Sequence, residues 1–382
     1  GALQHPKDNT SLAVKKGSHI VLIGNNLGSR MMNYGYFETE MHLRYPDRLL
    51  FIRNMCDGGD TPGFRPHSGR PSPWAFPGAE AFQTELARNS GSEGHFEAPD
   101  QWLTRLEADI IIAFFGYNES FQGEQGLSTY KAELEAFIRH TLSQRYNGKS
   151  RPQLAIVSPI AFEDRSDQFD LPDGKRENAN LASYTAAMRE VAAKTNVHFV
   201  DAFAPSKRWY DTSDEPLTID GSQLSDAGYA RFATLLADQV FGKTASKAEA
   251  HRALVHDAVQ EKNWFWHKDF KIPNGVHVFG RRYKPFGPDN YPEELAKIRE
   301  MTAVRDSAIW LAVKGEQFDL EAADRQTRKL PPVKTNFQLS ETSGNPEYLY
   351  GKDALDKLVV APGYKIELFA SEQEFEDLAK PV

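Results

Sequence analysis

The chain has 382 residues, 40% hydrophobic and 26% charged, which is enough to bury a core without disulfides or metals. With 53 acidic residues against 45 basic ones the formal net charge is −8, the wrong sign for a nucleic-acid footprint. No apolar run reaches membrane-span length, and the single cysteine, Cys56, excludes an internal disulfide framework, a c-type haem site and a cysteine zinc cluster.

Residues 1–17 are polar and read as an N-terminal arm; the opening Gly1–Thr10 shows no signal-peptide pattern, as in a trimmed mature chain. His19–Ile23 is an apolar run closed by Gly24-Asn25-Asn26, which predicts a buried strand and a turn. Residues 28–44 read as helix and Leu49–Arg53 as a second strand ending at Asn54. Pro62, Pro66, Pro71, Pro73 and Pro77 then force a long loop. Asp109–Phe115 predicts a third strand, again closed by glycine, and residues 127–145 a helix. Leu154–Ser158 predicts a fourth strand, 178–195 a helix, Val197–Asp201 a fifth strand and 225–241 a helix.

Apolar strands alternating with helices predict a parallel sheet covered on both faces. Ligands of such sheets bind beyond the carboxyl ends of the strands. The polar residues there are Asn25 and Asn26, Asp57–Thr61, Gly116–Ser120 and Ser158. From about residue 243 the character changes. Residues 246–262 are helix-like, 263–292 are dense in aromatics, arginine, glycine and proline, and 292–314 are helical again. Lys329–Gly351 has no periodicity and reads as linker, and Lys357–Val382 alternates apolar residues.

Four blocks stand out in order: Ile23-Gly24-Asn25-Asn26-Leu27, Asn54 with Gly58-Gly59-Asp60-Thr61, Gly116-Tyr117-Asn118-Glu119, and Asp220-Gly221-Ser222-Gln223-Leu224 with Gly228-Tyr229. Over roughly residues 18–242 they resemble the SGNH, or GDSL-like, hydrolase family, whose blocks run Gly-Asp-Ser-Leu, Ser-Gly-Asp-Thr, Gly-x-Asn-Asp and Asp-x-x-His-Leu. The resemblance implies a flavodoxin-like three-layer α/β/α fold with a five-stranded parallel sheet and a site for acyl transfer. In such a site a serine attacks an ester carbonyl, a histidine takes its proton and an aspartate orients the histidine. It further implies that the Gly59 N–H and the Asn118 side chain form the oxyanion hole, and that Asp220 is the triad aspartate. Asn26 stands in the serine position, Asn25 in the preceding aspartate position and Gln223 in the histidine position. An amide is not a nucleophile of this kind, and glutamine has no proton affinity near neutral pH.

Residues 261–292 and the stretch from Val359-Val360-Ala361-Pro362-Gly363 resemble multidomain proteins of planctomycetes and related marine bacteria. There an SGNH-like domain precedes a β-propeller and a haem-binding domain. That implies an extracytoplasmic location, periplasmic or secreted, with the following propeller and haem domains as partners. The division of the chain is then an arm (1–17), an SGNH-like domain (18–242), a helical, aromatic-rich extension packed on it (243–328), and a linker with the start of a following domain (329–382).

Each singled-out residue has two readings. Asn26 either holds a ligand carbonyl or hydroxyl or caps the following helix. Gln223 either bonds a ligand or fills the histidine's space against Asp220. Asn25, Asp60, Glu119, His67, Arg281 and Arg282 are candidate ligand contacts, set against turn chemistry, loop packing and an aromatic clasp. Trp74 and Phe76 are candidate crevice walls. Ser29, Ser120, Ser158, Cys56, His67, His267 and His277 are the places to seek a displaced nucleophile or base. Asp57, Asp60, Glu119 and Asp220 lack metal-ligand spacing, so neither a metal nor another cofactor is expected. Two functions remain: a catalytically degenerate domain that binds carbohydrate or an acetylated glycan, or serves structurally, and an ester hydrolase of the polysaccharide-deacetylase kind with a displaced nucleophile or base.

Overall fold

The computed structural model describes residues 11–86, 92–168, 170–336 and 349–371. The strands are β1 (His19–Gly24), β2 (Phe51–Asn54), β3 (Ile110–Phe114), β4 (Gln153–Val157) and β5 (His198–Val200). They form one parallel sheet in the order β2-β1-β3-β4-β5, with Ile20 opposite both Ile52 and Ile110. The helices are α1 (Asn26–Ser29), α2 (Tyr36–Arg44), α3 (Pro99–Arg105), α4 (Tyr117–Ser120), α5 (Gly123–Ser143), α6 (Lys175–Thr195), α7 (Phe203–Thr212) and α8 (Asp226–Phe241). After the sheet domain come α9 (Arg252–Phe270), α10 (Gly275–Val278), α11 (Gly287–Ala312), α12 (Leu320–Arg325) and α13 (Gly351–Asp356).

Alternation along the strands sorts the core into two layers. Val21, Ile23, Ile111, Ala113 and Ile156 face α3, α5 and α6 through Trp102, Leu134, Phe137 and Met188. Ile20, Leu22, Ile110, Ile112 and Val157 face α2 and α8 through Phe37, Met41, Phe232 and Leu236. These are the three layers the apolar runs predict. β1 ends at Gly24 because it passes so close to β3 that a β-carbon there would stand 2.1 Å from the Phe114 carbonyl oxygen, at a φ of 121°.

The helix expected over 28–44 is broken. α1 and a short 3-10 turn (Arg30–Asn33) precede Gly35, whose φ of 68° stops the run before α2 begins. A β-carbon on Gly35 would meet Gln260 of α9 at 2.8 Å, so the break makes room for the extension. α3 and α7 were not expected from the sequence. The aromatic-dense stretch 263–292 is in part regular helix: α9 continues to Phe270. Trp266 and Phe270, one turn apart, join the sheet core against Trp102 at ring-centroid distances of 5.8 and 5.2 Å.

β2 is an edge strand, and residues 50, 52 and 54 turn their carbonyls away from β1. The extension caps all three. Trp310 Nε1 donates to the Leu50 oxygen (3.0 Å), Lys262 Nζ to that of Ile52 (2.7 Å) and Trp266 Nε1 to that of Asn54 (2.7 Å). Lys262 is 1% exposed and also pairs with buried Glu38, which takes a further bond from Asn263 Nδ2. Arg53 grips Asp306 of α11 in a two-pronged pair (2.8 and 2.5 Å). The chain divides into two compact units, Gly1–Val333 and Lys334–Val382. In the second, α13 is the helix among the described residues, and Val359 and Phe369 are fully exposed.

Breaking a buried pair strands its partner's charge. Lys262→Met is expected to lower the unfolding free energy by about 3–5 kcal/mol. Adding Glu38→Gln is expected to recover a large part of that loss. Urea unfolding of wild type, single and double variants measures both; a double variant as unstable as the sum of the two singles would contradict the pairing.

Candidate active site

The carboxyl ends of β1, β3 and β4 open onto a cavity of about 270 Å³. Its lining includes Asn25, Asn26 and Arg30 after β1, Tyr117 and Asn118 after β3, Ser158 after β4, and Ser222 and Gln223 before α8. The apolar part is Leu27, Phe114, Phe115, Pro159, Ile160 and Leu224, with Tyr229.

The first block folds as a capped turn. Asn25 is buried, and its side chain accepts from the Leu27 N–H (3.2 Å), so Asn25, not Asn26, is the N-cap of α1. Asn26 is thereby free to face the last block, where its Nδ2 donates to Gln223 Oε1 (3.2 Å). Gln223 Nε2 donates in turn to Asp220 Oδ2 (2.8 Å). Asn26, Gln223 and Asp220 thus form a hydrogen-bonded row. Arg30 Nη1 donates to the same Gln223 oxygen (3.2 Å), fixing which way the amide faces, and Arg30 Nη2 donates to the Tyr34 hydroxyl and the Leu224 carbonyl.

Asp220 collects four bonds: the Ser222 and Gln223 backbone N–H groups, Gln223 Nε2 and the Ser222 hydroxyl. Burial pulls its carboxyl up, but the bonds from Gln223 and Ser222 outweigh burial and hold it below the usual range. It is an anion that orients neighbours, not a base for a hydroxyl.

In the second block Gly59 lies in an exposed turn with a φ of 88°. The turn approaches the cavity: a β-carbon built on Gly58 would stand 3.6 Å from Asn26 Oδ1. Asn118 Nδ2 ties itself to the turn by donating to the Asp60 carbonyl (3.3 Å). Below this turn the loop is anchored in the protein. Arg65 Nε donates to the Thr61 carbonyl (2.7 Å), and Glu133 accepts from the Gly63 N–H (3.1 Å) and from Gln83. The Asp60 side chain is buried with them, and burial pushes its carboxyl up to about 8, against the pull of Arg65. Asn54 stitches the first two blocks together, with Nδ2 on the Gly28 carbonyl (2.7 Å) and Oδ1 on the Cys56 N–H (2.9 Å).

Asn25, Asn26, Asn118 and Gln223 therefore meet at the cavity, with Asp220 directly behind Gln223 and Gly59 and Asp60 in the neighbouring turn. Other sequence candidates lie outside its lining. His67 stacks on Phe96 at 3.7 Å, its Nδ1 accepts from the Gly69 N–H, and burial and Arg70 lower its pKa to about 4. Arg281 and Arg282 are exposed after α10. Glu119 points inward: Oε2 accepts from the Gly116 N–H, and Oε1 is buried without a protein partner, as is the nearby Tyr130 hydroxyl. Trp74 packs on Phe64, and Phe76 is buried.

The reserve nucleophiles are occupied too. Cys56 is buried, and burial pushes its thiol well up. Ser158 Oγ accepts from the Ala202 and Phe203 N–H groups, Ser120 Oγ donates to the Tyr117 carbonyl, and Ser29 Oγ accepts from Lys271 Nζ. His267 is exposed on α9, and His277 shares a bond with Asn274. Arg30 is a cavity residue that sequence reasoning missed, and Tyr117 and Ser222 are cavity residues that stand in the blocks without having been given a role. Each adjoins a block residue: Arg30 is one turn past Asn26, Tyr117 precedes Asn118, and Ser222 precedes Gln223. Among the described residues no group of three or more His, Cys, Asp or Glu side chains is placed to hold a metal ion, and no helix is long and apolar enough to cross a membrane.

Residues 64–231 match the model of the GDSL-like Lipase/Acylhydrolase family, a span that takes in Asn118, Asp220 and Gln223. Over those residues the sheet domain is similar to that family. Among solved structures, a gut microbial diltiazem-metabolizing enzyme aligns at TM-score 0.42 and 14% identity, over 61% of this chain and 48% of its own. The chain thus spans about half the length of that protein. A catalytic mutant of an acetylxylan esterase from Geobacillus stearothermophilus aligns at TM-score 0.41 and 14% identity, over 60% of this chain and 96% of its own. A GDSL-like lipase from Parabacteroides merdae aligns at TM-score 0.43 and 13% identity, over 60% and 99%. No curated protein gives a significant match.

Burial raises Glu119 to about 8, with Glu133 adding to the push. The folded chain then keeps a proton that the unfolded chain releases near pH 4.5, so this group costs stability progressively from about pH 4.5 to 8. Glu119→Gln is expected to match wild type in thermal unfolding at pH 4 and to exceed it increasingly up to pH 8. An advantage independent of pH would contradict the burial of a titrating carboxyl.

Proposed function

We propose that this GDSL-like domain binds an acylated carbohydrate in the cavity and does not hydrolyse it. The observation that carries the reading is the row Asn26–Gln223–Asp220. Where a serine and a histidine would pass a proton, two amides are bonded to each other and to the aspartate. No imidazole lines the cavity among the described residues. Loss of such a pair costs on the order of 10⁴–10⁶ in turnover. What remains suits binding: amide donors and acceptors at one end of the cavity, and Leu27, Phe114 and Phe115 at its wall for an acyl group.

The carbohydrate class rests on the resemblance of the blocks to the SGNH family, and an extracytoplasmic setting with β-propeller and haem-binding domains attached rests on the resemblance of residues 261–292 and 359–382 to planctomycete-type proteins. The second reading, an ester hydrolase with a displaced nucleophile, is favoured by one contact. The Ser222 hydroxyl lies 3.1 Å from Asp220 and lines the cavity. The low proton affinity of Asp220 opposes it.

The test is hydrolysis of p-nitrophenyl acetate by wild type, Ser222→Ala and Asn26→Ser/Gln223→His. Wild type is expected at the buffer rate, and the double variant clearly above it. Wild-type turnover abolished by Ser222→Ala would overturn the binding reading. An imidazole at position 223 would face the Arg30 guanidinium, which donates to the present amide at 3.2 Å, and a neighbouring cation lowers a histidine's pKa. Adding Arg30→Gln to the double variant is therefore expected to move the acid limb of its pH–rate profile upward by about one unit.

A further inference from the structure

A second pocket of about 190 Å³ opens on the far side of Tyr117, which lines both this pocket and the central cavity. Its wall on one side is the end of α4, with Ser120 and the ring of Phe121. The other side is the first turns of α6, with Arg176, Glu177 and Asn180. Phe121 is 67% exposed, a large apolar ring left in water beside a cavity when the rest of the α4 region is packed. The Tyr117 ring holds it edge-on at a centroid distance of 5.4 Å. On its other side Tyr117 lines the central cavity together with Ser222. The divider between the two pockets is thus an aromatic ring, and the wall beyond it carries a second one.

The chemistry of this outer pocket is specific in kind. An exposed aromatic face attracts a ligand that presents a face of C–H groups. Arg176, Glu177 and Asn180 offer planar, forked donors and acceptors at its edge. Arg176 and Glu177 carry opposite charges on adjacent residues, so the pocket favours neither an anion nor a cation. A neutral, polyhydroxylated ring with one apolar face satisfies all three conditions.

We propose that the pocket beyond Tyr117 is a second sugar subsite, so that the cleft takes an oligosaccharide, with its acylated residue in the central cavity and the next ring on Phe121. This rests on the reading of the central cavity as an acyl-carbohydrate site. It goes beyond that reading by assigning chain length and a length-sensing residue, Phe121, outside the hydrogen-bonded row.

The test is calorimetric titration of the full chain with mono-acetylated methyl xyloside and with mono-acetylated xylotriose, for wild type, Phe121→Ala and Asn180→Ala. The trisaccharide is expected to bind wild type about tenfold more tightly than the monosaccharide. Phe121→Ala is expected to remove that advantage while leaving the monosaccharide affinity unchanged, and Asn180→Ala to reduce it. Phe121 is exposed, and an unchanged melting temperature verifies the fold of its variant. Equal affinity for both probes in wild type, or equal weakening of both by Phe121→Ala, overturns the outer subsite and leaves the central reading standing. Binding of the trisaccharide alone, dependent on Phe121, supports the outer subsite and overturns the acylated sugar in the central cavity. Binding of neither probe overturns both.

Discussion

Three outward carbonyls on one edge strand govern how this protein is assembled. Leu50, Ile52 and Asn54 present them on the side of β2 away from β1, and a strand edge left open there is a template for wrong pairing. The chain closes it with side chains instead of a sixth strand. Two indoles and an ammonium group from α9 and α11 each cap one carbonyl. The cap also reaches the site. Trp266 holds the backbone of Asn54, whose side chain joins the turn after β1 to the turn after β2. Lys271, one residue past α9, adds bonds to Ser29 and Asp57 in those same two turns. The aromatic extension is thus an edge cover and a site brace, and its arginines after α10 stand clear of the cavity.

The row of amides accounts for the local stability of the site around Asp220. A half-buried aspartate left without a donor would be costly. Gln223 supplies one N–H toward Asp220 and one oxygen toward Asn26, the donor and acceptor a neutral imidazole would offer in a fixed tautomer. It differs in the property that matters for hydrolysis, since the oxygen cannot hold a proton at neutral pH. Arg30 fits this arrangement. A guanidinium beside Gln223 is compatible with an amide oxygen and hostile to an imidazolium. Gln223 and Arg30 are electrostatically consistent with each other.

The sheet was legible because its strands are buried on both faces. Runs such as Ile110–Phe114 leave no helical alternative when glycine closes them. The four polar blocks were legible because parallel strands all deliver their carboxyl ends to one side. Other features depend on contacts that no local pattern encodes. The break at Gly35 follows from the approach of Gln260, more than 200 residues later. α9 runs on through an aromatic-rich stretch because Trp266 and Phe270 enter the core at helical spacing, which composition alone does not reveal. His67, in a loop near the second block, stacks on Phe96, a partner brought by a different loop. Arg30 was hidden because a basic residue in a first helical turn reads as surface, whereas here Tyr34 and Tyr229 lie under its guanidinium at 5.8 and 5.7 Å.

The cover on β2 also imposes an order in time. Strands β1 to β5 are complete by residue 200, yet the groups that close the edge sit at 262, 266 and 310. During synthesis the sheet therefore exists with one side unfinished until more than 100 further residues have emerged. Contacts of such long sequence separation form late. Over that interval the nascent protein carries an open margin. The two loops around the cavity gain their braces from Trp266 and Lys271 first, and the last carbonyl of the margin, that of Leu50, waits for Trp310 near the end of α11.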